Sequence, residues 1–199
     1  MLKRYIILFS LGLCFATPVL SQAIDTTPMI RVTNVHNGQN DAALDTFTET
    51  KFFGPYQFRV LKDAIETQGE TKDIDGRVFR TSDGVFMHVK ARSIDGNSMS
   101  LDNEIKNLVN ERTIPEPTVK MVLPIKDSVI EVNNDGVRSL LAEFMYGWPL
   151  KNRTDMVLVT DYEGTRYYYK LQFYRDRLPN GVHIDQLREM IMDAQFSYK

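Results

Sequence analysis

The chain has 199 residues, with Lys+Arg 24 against Asp+Glu 26 and a formal charge of −2. One cysteine excludes a disulfide framework, and a pI near 5.9 excludes binding of nucleic acid by bulk electrostatics. The 43% hydrophobic and 25% charged fractions are those of a folded chain, long enough for one ordinary domain.

Residues 1–23 read as a secretory signal peptide. Lys3 and Arg4 form a basic start, Tyr5 to Leu20 is mostly apolar, and Ser21-Gln22-Ala23 places small residues around a cleavage site. The alternative is an uncleaved anchor. Against it, the apolar run is shorter than the ~20 residues a bilayer needs, and Pro18 interrupts its end. Cys14 follows Leu13 rather than a small residue, and the apolar run continues beyond it, so a lipid anchor is not expected. Cleavage after Ala23 would leave a cysteine-free, more acidic chain in the periplasm or outside the cell. A hydrophobic core must then carry its stability. So short a basic start on a cysteine-free secreted chain points to a bacterial source.

Residues 24–50 are polar and broken, with one strand expected over Met29 to Val35, and read as a flexible N-terminal arm. A single domain is expected over 51–199. Tyr56 to Leu61, Arg77 to Thr81 and Val85 to Ser93 have strand character, the last two around the turn Ser82-Asp83-Gly84. In the third, Val85, Met87, Val89 and Ala91 alternate with Phe86, His88, Lys90 and Arg92, giving one apolar and one basic face. Ser100 to Arg112 predicts a helix. Ser100 suits the N-cap, Asp102 and Glu104 suit the first turn, and Leu101, Ile105, Leu108 and Val109 make one apolar stripe.

Strands are expected over Val129 to Val132, Val137 to Tyr146, Met156 to Tyr162 and Arg166 to Tyr174, and a closing helix over Ile184 to Phe196. Late strands joined by short links must be antiparallel. The predicted fold is therefore α+β: an antiparallel sheet with helices packed on it, an α-β-α sandwich.

This order resembles the PsbP/DcrB-like family of secreted or lumenal bacterial and plastid domains. Tyr56-Gln57-Phe58-Arg59-Val60 stands at the family's first core strand, and Ser100-Leu101-Asp102-Asn103-Glu104-Ile105 at its first long helix. Gly136 to Phe144 resembles the central strand, Tyr167 to Phe173 the penultimate strand, and Ile184 to Ser197 the closing helix. The chain departs from the family at Leu61-Lys62-Asp63-Ala64, where a typical member has proline and tryptophan. The resemblance covers residues 52–199. It implies a sandwich acting as an accessory or binding domain without a shared catalytic apparatus.

No catalytic residue, metal site or cofactor is predicted. His36, His88 and His183 stand far apart and in no metal-binding spacing. No P-loop, dinucleotide fingerprint or G-x-S-x-G occurs, and the paired carboxylates sit in turns. The remaining signal is aromatic and basic. Tyr168, Lys170 and Tyr174 share one strand face, Trp148 sits in the loop Gly147-Trp148-Pro149, and His88, Lys90 and Arg92 share another face. Tyrosine, tryptophan and arginine are favoured interface anchors. These seven residues are the candidate partner-binding set, against the plainer reading of a sheet covered by helices on both sides. The function expected is a non-enzymatic accessory protein that engages a protein of the cell envelope. The alternatives are a secreted hydrolase assembled only in three dimensions, and a small-ligand or metal-binding module.

Overall fold

The computed structural model describes residues 30–33, 41–67, 76–113, 122–146, 152–179 and 181–197. In chain order the first elements are β1 (Ile30–Thr33), α1 (Asp41–Phe47), β2 (Thr48–Phe53), β3 (Tyr56–Leu61), β4 (Ile65–Thr67), β5 (Arg77–Arg80) and β6 (Phe86–Ser93). Then come α2 (Leu101–Thr113), β7 (Val122–Asn134), β8 (Val137–Tyr146), β9 (Arg153–Tyr162), β10 (Thr165–Tyr174), α3 (Ile184–Met192) and β11 (Gln195–Phe196).

Eight strands form one sheet in the order β1-β7-β8-β9-β10-β6-β5-β4. Every neighbour pair is antiparallel except β1 with β7. Two-residue turns fix much of the register. Asp135-Gly136 joins β7 to β8, and Glu163-Gly164 joins β9 to β10, with all four residues at positive φ. That conformation matches the twist of a hairpin, and glycine adopts it without a Cβ penalty. Register matters because a slip of one residue would turn every side chain to the other face.

The two faces are covered differently. On one, α2 lays Leu101, Ile105 and Val109 on Leu140, Ala142 and Phe144 of β8 and Val157 and Val159 of β9. On the other, Leu187, Met190 and Ile191 of α3 join Tyr56, Phe58 and Val60 of β3 over Met87, Leu141, Leu158, Tyr169 and Leu171. The expected antiparallel sheet with packed helices is present. The α-β-α picture, however, omits a layer: β2, β3 and β11 form a second, three-stranded sheet on the α3 side. Tyr56, Phe58, Val60 and Leu61 are fully buried. At about 2 kcal/mol per buried apolar side chain, they attach this layer firmly.

Several boundaries differ from those predicted. The strand expected over Met29 to Val35 is present as β1, but the segment 24–50, read as an arm, also supplies α1 and the start of β2. Leu44 is buried, the Thr48 hydroxyl donates to Leu44 O at 2.7 Å, and Asp45 accepts from Arg59 at 2.5 Å, so from α1 onward the chain belongs to the packed unit. β7 is longer than the predicted Val129 to Val132, with an irregularity between Pro124 and Val129, where a proline without an N–H is tolerated. The closing helix ends at Met192 rather than Phe196. The Asp193 N–H caps Glu189 O, its carboxylate accepts from Arg59 Nε at 2.5 Å, and Gln195 and Phe196 then pair with Gln57 and Tyr56. The strand β4 was not predicted at all.

Candidate functional site

The site arises where the sheet outgrows its helix. Eight strands at ~4.8 Å spacing span roughly 34 Å, whereas a helix with its side chains is about 10 Å across. α2 lies over β7, β8 and β9. The outer part of β10, with β6 and β5 beyond it, extends past that cover.

The β6–β10 pairing decides what stands there. Tyr168 lies opposite Lys90, Lys170 opposite His88, Gln172 opposite Phe86, and Arg166 opposite Arg92. Alternation puts all eight on the α2 face. A cavity of about 310 Å³ opens between this strip and the flank of α2, lined by His88, Lys90, Arg92, Glu104, Leu108, Val157, Tyr168 and Lys170. Glu104 and Leu108 are four residues apart, one turn along the same helix flank. A second hollow of about 410 Å³ shares Lys170 and is lined further by Arg80, Gly84, Val85, Phe86 and Gln172.

Two nearly buried carboxylates organise the cations. Glu104 Oε1 accepts from the Tyr168 hydroxyl at 2.7 Å, and its Oε2 accepts from Arg92 at 2.8 Å and Arg166 at 3.2 Å. Arg166 also forks onto Asp161 at 2.6 and 2.8 Å and donates to Met99 O at 2.8 Å. Asp155 accepts from Arg153 at 3.0 Å, accepts from the Tyr146 hydroxyl, and stands 3.4 Å from Lys170 Nζ. Burial, and then the bond to Glu104, raise the Tyr168 phenol above the ordinary phenol range, so it stays protonated and donating at neutral pH. Lys90 Nζ and Arg92 Cζ lie 5.1 and 5.3 Å from the Tyr168 ring centroid, in cation–π range.

Five of the seven predicted residues therefore line one cavity: His88, Lys90, Arg92, Tyr168 and Lys170. Tyr174 stands on the same face but six residues along β10, about 20 Å from Tyr168, where Arg177 lies 5.4 Å from its ring. Trp148 lies outside the described residues. The sequence reading missed Glu104, Leu108 and Val157. Glu104 reads in sequence as a first-turn acid favoured by the helix dipole. Its place in the cavity follows from Tyr168, Arg92 and Arg166 on the neighbouring strands.

The lining holds no serine, threonine or cysteine. His88 and His183 are on opposite faces of the sheet: His183 precedes α3, while His88 stands on the α2 side. Among the described residues no group of three or more His, Cys, Asp or Glu is placed to hold a metal ion. Among them, too, no helix is long and apolar enough to cross a membrane.

An antiparallel sheet with α2 on one face, and with α3 and a small sheet on the other, defines a PsbP-like α+β fold. The solution structure of cyanobacterial PsbP (CyanoP) from Synechocystis sp. PCC 6803 matches it with a TM-score of 0.53 and 16% identity, over 76% of this chain and 93% of that one. At that identity the likeness is one of fold. A crystal structure from Bacteroides thetaiotaomicron VPI-5482 matches with a TM-score of 0.43 and 14% identity, over 73% of this chain and 46% of that one. PA94 from Pseudomonas aeruginosa, a protein of unknown function, matches with a TM-score of 0.39 and 9% identity, over 77% of this chain and 99% of that one. Comparison with protein-family models and with curated proteins finds no match.

Proposed function

We propose that the chain is a non-enzymatic accessory protein of the extracytoplasmic space. Residues 1–23 direct its export, with cleavage after Ala23, and the mature protein engages a protein of the cell envelope. The observation that supports this reading is the strip of His88, Lys90, Arg92, Tyr168 and Lys170 left open beside α2 on an otherwise acidic chain. Lys90 and Arg92 over the Tyr168 ring, with Arg92 fixed by Glu104, form a preorganised surface of the kind that gives specificity and speed of association. Tyr174 extends this surface along β10, and Trp148 is kept as a further candidate contact on its residue type alone.

The test is crosslinking in the cells that make the protein. The native chain is expected to capture one envelope protein, and Lys90→Glu should abolish that capture while leaving the melting temperature unchanged. Capture that survives this substitution, or recovery of the protein from the cytoplasm with residues 1–23 intact, would overturn the reading.

A further inference from the structure

The cavity beside α2 has two unlike halves. Leu108 and Val157 give it an apolar wall, which the Tyr168 ring continues. Lys90, Arg92 and Lys170 stand around its rim with His88. The carboxylate in the lining, Glu104, is already engaged by Arg92, Arg166 and the Tyr168 hydroxyl. Asp155, on the neighbouring strand, is shared between Arg153 and Lys170. Lys90 is stacked on the Tyr168 ring and pairs with no described carboxylate. Positive charge therefore exceeds negative at this rim, by little more than the one charge of Lys90.

An anion arriving there is attracted at an effective dielectric well below that of water. An apolar group attached to it leaves water against Leu108 and Val157. The volume of about 310 Å³ is at the small end for ligand sites. We infer that this cavity binds a small amphipathic anion: one carboxylate head on a short apolar body. The head lies by Lys90 and Lys170, and the body lies on Leu108 and Val157. A single charge matches the small surplus on the rim. This ligand uses the same face as the proposed partner surface, but binding it requires no protein partner. The same chemistry can come from a free molecule or from an acidic segment of a protein, and the experiment separates the two.

Octanoate is the probe, with octanol and acetate as its separated halves. Binding is followed by two-dimensional NMR of the purified chain. Octanoate is expected to shift the amide signals of β6, β10 and α2 saturably, with octanol and acetate at least tenfold weaker. Lys90→Glu, and separately Leu108→Asn, should each weaken octanoate tenfold or more while signals of the α3 side stay in place. Added salt should weaken it as well. Octanol binding as tightly as octanoate, acetate binding as tightly, or either substitution leaving affinity unchanged overturns the inference. An octaglutamate peptide binding more tightly than octanoate at the same signals also overturns it, in favour of an acidic protein segment. If octanoate fails while Lys90→Glu still abolishes envelope capture, the ligand is lost and the proposed function stands.

Discussion

Arg166 and Glu104 form an ion pair of 3.2 Å beneath α2, and the arginine side chain is only 1% exposed. The pair joins β10 to the first turn of α2, so one contact fixes both the helix and one wall of the cavity. Removing the arginine leaves the nearly buried Glu104 with only Arg92 and the Tyr168 hydroxyl, and empties a fully buried site. Arg166→Ala is expected to cost about 3–5 kcal/mol in urea unfolding. Arg166→Lys should recover only part of this, because a single ammonium cannot reach Glu104, Asp161 and Met99 O as the planar fork does. A loss below about 1 kcal/mol for the alanine variant would contradict this account.

Gly76 stands just before β5 at φ +108, and an added Cβ would fall 2.0 Å from Val89 O in β6. Both the conformation and the space demand glycine. Gly76→Ala should destabilise the protein by about 2 kcal/mol or more, read as a lowered melting temperature, and should loosen the pairing of Arg77 with Val89. Gly96→Ala is the control. It has nothing within 4 Å of a built Cβ and should be close to neutral.

Asp102 and Arg138 tie the start of α2 to β8 through a two-pronged contact of 2.8 and 2.9 Å. The Arg138 hydrogen bonds hold the Asp102 carboxyl below its ordinary value of 3.8. A depressed pKa contributes stability above the unfolded value and loses it as pH falls through the folded one. Both side chains are more than a third exposed, so screening leaves about 0.5 kcal/mol. Asp102→Asn should show that deficit at pH 7, and the gap from the parent should close on acidification below the ordinary carboxylate range. Urea unfolding at low salt and a series of pH values measures it. A gap that widens on acidification would contradict the sign.

Asn134 Nδ2 donates to Met192 O at 2.7 Å and Ala194 O at 2.9 Å, pinning the end of α3 to the β7–β8 turn. Asn134→Ala leaves two buried-side carbonyls without that donor. A loss of about 1–3 kcal/mol is expected. Amide exchange at Gln195 and Phe196 should accelerate more than exchange in β9. Equal acceleration in both would mean that the tether is not local.

The two-sided alternation of β6 and β10 was legible in the residues, and so was the α2 stripe, because period-2 and period-3.6 patterns are local properties. The hairpin turns were legible for the same reason. The small sheet was not. β2 reads Thr-Glu-Thr-Lys-Phe-Phe, which carries no clear inner face until β3 pairs with it. β11 is two residues long and cannot be told from the end of a helix whose stripe runs into it. The candidate residues on β6 and β10 were legible one strand at a time. Their meeting depended on β10 pairing with β6, a choice that the order of elements leaves open. Arg59 and Arg166 are nearly buried against Asp45 and Asp193, and against Glu104 and Asp161, which no local pattern ties to them. Single-sequence patterns are blind to such partners.

The parallel strand at the sheet's edge has a kinetic consequence. β1 pairs with Val129–Val132, about a hundred residues further along the chain. Closing so long a loop is slow, since its entropy is lost before the pairing repays it. By that argument β1 is among the last elements to dock. Until it does, β7 presents an unpaired row of backbone donors and acceptors to any other extended chain. β1 serves as the late-arriving cover of that row. The interval before it docks is when the folding protein is most open to strand exchange with its neighbours.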